Sequence, residues 1–87
     1  METKFTDAEI KVEGKELFKR TMWSWNAKHT YSKTTKINFL NSGIAECRER
    51  IKDGEATLQD FAMIDALKRF KRALRRRGET ELLAAIK

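Results

Sequence analysis

Apolar residues recur along this chain at steps of three and four over three long stretches, with polar residues between them, and that is the period of the α-helix. After a short lead-in from Met1 to Phe5, the first stretch places Ile10, Leu17, Phe18, Met22 and Trp25 on one side, with Gly14 and Thr21 among them. Thr6 or Asp7 is placed to cap this helix, and Asp7 and Glu9 suit the positive end of its dipole. Gly14 lowers helix propensity, so it either admits a close helix neighbour or counts against the helix. Glu16 and Arg20, one turn apart, are spaced to pair. Val12 and Trp23 fall off the stripe. Large aromatics are mostly buried, so Trp23 is expected to pack under the following connector, and the alternative is an anchor for a partner.

In the second stretch Ile37, Leu40, Ile44, Cys47 and Ile51 mark one narrow helical face, with Thr34 or Thr35 as cap and Asp53-Gly54 as the stop. Gly43 lies beside that face, where it could admit a neighbouring backbone, and Glu46 and Arg50 are spaced as an outer pair. The polar connector from Asn26 to Thr35 carries His29 and Tyr31, both read as packing or surface residues. The flanking runs TMWSWN and TTKINFL are rich in aromatic and β-branched residues, so a β-hairpin over residues 21–40 is the competing reading.

The third stretch, Thr57 to Gly78, has a start signal in Thr57 with Asp60 three residues on, a capping-box-like pair, and a stop signal in Gly78. Ala62, Met63, Ala66, Leu67, Phe70, Ala73 and Leu74 fill one broad side, while Lys68, Lys71, Arg72 and Arg75 fill the other, preceded there by Phe61 and Ile64. Thr80 is placed to cap a last short helix whose Leu82, Leu83 and Ile86 fold back on the core. The pattern predicts one all-α domain over residues 1–87, a compact bundle of three main helices plus a short C-terminal helix with antiparallel neighbours. The hairpin variant would make it α+β.

Composition adds a direction for function. The chain has 87 residues, a formal net charge of +6, no proline, one cysteine and one histidine. A lone Cys47 and a lone His29 leave no intramolecular disulfide and no structural zinc set. Cys47 sits in the apolar stripe and reads as a small buried hydrophobe rather than a reactive thiol. Charges run through the first residues, and no apolar run has the length of a signal peptide or a membrane span, so a soluble cytoplasmic protein is expected.

The positive charge is concentrated. Lys68, Arg69, Lys71, Arg72, Arg75, Arg76 and Arg77 follow one another with no intervening acid. Holding them together costs self-repulsion that an acidic partner would relieve, and arginine's forked donors suit phosphate. These residues are the candidate site for nucleic acid, through its phosphates, or for an acidic protein surface, with Trp23 and Phe61 as candidate aromatic anchors and Tyr31 a further one. The residues after Thr57, LQDFAMID, offer few base-reading groups, so sequence-specific helix-turn-helix recognition is poorly supported. No glycine-rich phosphate loop, HExxH, CxxC or nucleophile elbow is present, which predicts a non-catalytic protein without a cofactor. The basic helix could lie on anionic lipid, but its apolar side is committed to the core, which argues against a membrane role. The expected function is phosphate contact. The alternatives are an inhibitor or adaptor docking its basic helix on an acidic protein surface, and a structural subunit that self-associates.

Overall fold

The structure, a computed structural model, describes residues 5–27 and 31–87. Four helices follow in order: α1 Asp7–Asn26, α2 Lys33–Lys52, α3 Leu58–Arg76 and the short α4 Thr80–Ala85. Among the described residues there is no strand, and the all-α bundle of three main helices plus a short C-terminal one is the observed fold. The hairpin over residues 21–40 is overturned, because α1 and α2 run through both of its would-be strands. The reason is tertiary: as a helix the segment buries Trp25 in line with Gly14, and the Thr21 hydroxyl is satisfied by the Leu17 carbonyl at 2.8 Å. His29 lies outside the described residues, as does most of the lead-in.

Each long helix has a physical reason for its ends. Thr6 and Glu9 form a capping box, with Glu9 N–H donating to Thr6 Oγ1 at 3.2 Å and Thr6 N–H to Glu9 Oε1 at 3.3 Å. Asn26 ends α1 without a basic residue in its last turn; Lys36 of α2 supplies the charge instead. Its ammonium donates to the carbonyls of Ser24, Trp25 and Ala27 at 2.8, 3.2 and 3.0 Å. The cap of α2 is Ser32 rather than Thr34 or Thr35: Ser32 has an extended backbone, and its hydroxyl accepts from Thr35 N–H at 3.2 Å. Gly78 closes α3 with φ +73°, which lets Glu79 N–H reach back to the Leu74 carbonyl at 3.0 Å. Glu79, not Thr80, is the N-cap of α4.

Contacts advance in the same direction along α1 and α3, from Phe5–Phe61 through Gly14–Asp65 to Asn26–Arg77. These two helices therefore run parallel, with α2 antiparallel to both. Their packing is more extensive than that of α2 on α3, so the closest neighbours are parallel, against the antiparallel expectation. Gly14 and small residues explain it. Gly14 is buried, and a Cβ there would collide with the Asp65 carboxylate, while Ala62 and Ala66 on α3 are also buried. Gly43, by contrast, has no neighbour near enough to require glycine.

The core is centred on α3, with Leu67, Phe70 and Leu74 meeting Trp25 of α1, Ile37 and Ile44 of α2, and Ile86. Trp25 stands edge-on to Phe70 with ring centroids 5.1 Å apart. Cys47 is buried in the α2 stripe, as its register implies. Asn41 ties the chain end down, donating to the Ala85 carbonyl and accepting from Lys87 N–H, both at 3.0 Å.

Two expected ion pairs are replaced. Glu16 pairs with Lys19 at 3.4 Å rather than with Arg20. Arg50 turns away from Glu46 to Asp60, which is 3% exposed, with a shortest separation of 2.7 Å. Arg50 Nε also lies 3.0 Å from both carboxylate oxygens, and Thr57 N–H donates to Asp60 Oδ2 at 2.9 Å. The Arg50 guanidinium, helped by the Thr57 amide, holds the Asp60 carboxyl well below the usual carboxylate range, although burial opposes it.

Replacing Ile44 or Leu67 by alanine is expected to lower unfolding free energy by about 2–5 kcal/mol in urea titrations, because each leaves a cavity in a small core. A negligible loss would place that side chain outside the core. For Asp60, the folded carboxyl releases its proton more readily than the unfolded one. Its contribution is therefore complete above about pH 4 and is lost as pH falls towards the folded-state value. Asp60→Asn should lower the urea midpoint at pH 7 and flatten the decline in stability below about pH 4. An unchanged acid limb in that variant would assign the acid sensitivity to other carboxylates.

Candidate cationic interface

The basic block occupies the second half of α3 and the turn that ends it, and packing divides its members. Lys68, Arg72, Arg75 and Arg76 are exposed and Lys71 is half-buried. Among the described residues none of these five makes an ion pair or a side-chain hydrogen bond. At the helical period Lys68, Arg72, Arg75 and Arg76 share the side of α3 opposite its buried residues Ala66, Phe70 and Leu74, while Lys71 lies at the edge of that side beside buried Leu67. The remaining two are engaged. Arg69 is half-buried, and its Nε donates to Asp65 Oδ2 at 2.8 Å, one turn back. Arg77 caps the helix end and donates to Asn26 Oδ1 at 3.1 Å, tying the ends of α1 and α3 together.

The first half of the same α3 side is covered. Phe61 is half-buried and stands edge-on to Phe5 at 6.1 Å, and Ile64 packs against the core. Phe61 and Ile64 line a cleft with Asp7, Ile10 and Lys11 of α1, Ile51 of α2, and Asp65 and Lys68. A second cleft is lined by Phe18 of α1 with Arg69, Arg72, Ala73 and Arg76. The cations of α3 thus border α1 directly. Phe61 belongs to the packing beneath them and is poorly placed as a free anchor.

Trp23 is 77% exposed, so it does not pack under the connector. Its position on α1 is in register with exposed Val12 and away from the stripe that meets α3, which turns it away from the core among the described residues. Tyr31 and Phe39 are also exposed and form an edge-on pair with centroids 5.3 Å apart. Neither they nor Trp23 line the two clefts beside the cationic face.

Asp65 subtracts Arg69 from the free cations, a pairing that the four-residue spacing in the sequence allows. Lys11, absent from the basic block, joins the cationic border because α1 runs alongside α3, which local sequence does not signal.

Other chemistry has little to build on. Among the described residues no group of three His, Cys, Asp or Glu side chains converges to hold a metal ion, and no helix is long and apolar enough to cross a membrane. Burial pushes the Cys47 thiol up, with the Asp60 carboxylate adding to the effect and Arg50 opposing it. No family model matches the chain, and no curated protein or solved structure resembles it significantly.

A buried thiol with a raised pKa is a poor nucleophile. Cys47 should label slowly with a thiol reagent in the native protein at about pH 8 and rapidly in denaturant. Fast labelling of the folded chain would take Cys47 out of the core and break the register of α2.

Proposed function

We propose that this is a non-catalytic, cytoplasmic, nucleic-acid-associated protein that contacts phosphates through the cationic side of α3. The observation that carries the reading is the set of exposed, unpaired cations Lys68, Arg72, Arg75 and Arg76 on one side of a helix whose other side is core. A merely solvated surface would be expected to mix charges of both signs, whereas like charges held on one rigid helix repel one another until an anion arrives. The cations lie towards the C-terminal end of α3, where backbone N–H groups are already used. Binding would therefore run through side chains and the phosphodiester backbone, with little discrimination between sequences.

A second reading is an adaptor or inhibitor that sets the same cations on an acidic protein surface. Exposed Trp23 and the exposed Tyr31–Phe39 pair favour it, because aromatic anchors of this kind concentrate binding energy in protein interfaces.

Salt dependence separates the two. Affinity for duplex DNA should fall linearly with the logarithm of salt concentration, and the triple variant Arg72→Ala, Arg75→Ala, Arg76→Ala should flatten that slope by about 2–3 units. Different duplex sequences should weaken almost equally. No binding at low salt, or a triple variant indistinguishable from the parent, would defeat phosphate contact. A defined protein captured after nuclease treatment, and lost on Trp23→Ala, would establish the second reading instead.

A further inference from the structure

We infer that the phosphate-contacting surface is the seam between α1 and α3, and that its occupant is one strand of a duplex backbone lying along that seam. This rests on the phosphate-contact reading and extends it to a second helix and a defined geometry.

The parallel course of α1 and α3, with Gly14 set against Asp65, brings side chains of both helices to the same seam. Lys11 and Lys68 line one cleft across it, and Phe18 lines the next with Arg69, Arg72 and Arg76. Lys15 is exposed and lies on α1 between Lys11 and Phe18, one turn from each, so it borders the same seam. Among the described residues Lys11 and Lys15 make no ion pair.

The charges of α1 are also sorted. At the helical period Lys11 and Lys15 fall on the cationic edge of the seam, while Glu9 and Glu16 fall away from it and Glu13 lies on the opposite edge of the α1–α3 contact. The carboxylates of Glu9, Glu13 and Glu16 each have their own partner, in Thr6, Gln59 and Lys19 respectively. The acids at the seam are Asp65, held by Arg69, and Asp7 at its far end. Both banks of the seam are therefore cationic, from two independent stretches of sequence.

The length and shape fit a backbone strand. Lys68 to Arg76 spans about 12 Å of helix axis, enough to follow about two to three consecutive phosphates of one strand. Single strands are usually gripped by exposed aromatic platforms on which bases stack. The aromatics at the seam, Phe18 and Phe61, are half-buried in the packing, and the exposed ones lie elsewhere. A regular row of phosphates needs only the cations.

The test compares two charge-matched double variants on a mixed-sequence DNA duplex and on one of its single strands, by fluorescence anisotropy over a range of salt concentrations. Lys11→Ala with Lys15→Ala should reduce the salt slope on duplex by about 1–2 units. Lys52→Ala with Lys87→Ala, exposed residues at the ends of α2 and of the chain, should change it little. Circular dichroism of both variants checks that the helices persist. If the parent binds duplex and the Lys11/Lys15 variant keeps the parental slope, or if both doubles lower it equally, the seam is refuted while phosphate contact stands. Binding to the single strand but not the duplex overturns the occupant. A parent that binds neither at low salt refutes phosphate contact itself, and the seam with it.

Discussion

One buried carboxylate sets how the bundle is joined. Asp60 sits at the first turn of α3, almost sealed from solvent, and an unpaired charge there would be costly. Arg50 meets it from the last turn of α2 with three hydrogen bonds, two from Nε and one from Nη2, and Thr57 adds its amide. The same carboxylate therefore caps one helix and clasps the preceding one across the Asp53-Gly54 turn. Such a pair contributes less to net stability than to geometry, since desolvation offsets much of its attraction. What it fixes is the angle and register at which α3 enters the bundle, and with them which side of α3 faces the core and which faces water.

From that register follows the division of labour along α3. Its small residues accept α1 at close range, its large ones meet Trp25, Ile37 and Ile44, and its remaining side is left for cations. The helix most enclosed by the fold is thus also the one that carries the densest positive charge. A rigid scaffold beneath long arginine side chains reduces the entropy lost when they meet a partner, because only the side chains themselves need ordering.

The elements were legible in the sequence because periodicity, caps and glycine stops act within a few residues. The stripe through Ile44 and Cys47, the Thr57–Asp60 start and the Gly78 stop were all readable in that way. Partner choice was not. Glu46 offered Arg50 a neighbour one turn away, yet Asp60, arriving from another helix and excluded from water, is the stronger competitor. The parallel pairing of α1 with α3 was hidden for a related reason. Gly14 signals a close approach without naming what approaches, and Asp65 and Ala66 give no reciprocal mark. Trp23 misled because bulk and hydrophobicity favour burial on average, whereas helical phase alone put it outside. Of the cationic block, the residues were legible and their availability was not, since Arg69 and Arg77 are taken by Asp65 and Asn26.

The end of α1 is held by a group that α1 does not own. Its last carbonyls, those of Ser24, Trp25 and Ala27, converge on the ammonium of Lys36, which belongs to α2. The last turn of α1 and the first turn of α2 are therefore coupled through Lys36 into one unit, so that opening either strips partners from the other. Both tryptophans ride on that unit: Trp25 faces inward against Phe70 with Lys33 over its ring, and Trp23 faces outward into solvent. Melting of this corner would change the surroundings of one indole and scarcely those of the other, so the protein carries its own two-channel optical reporter of local opening.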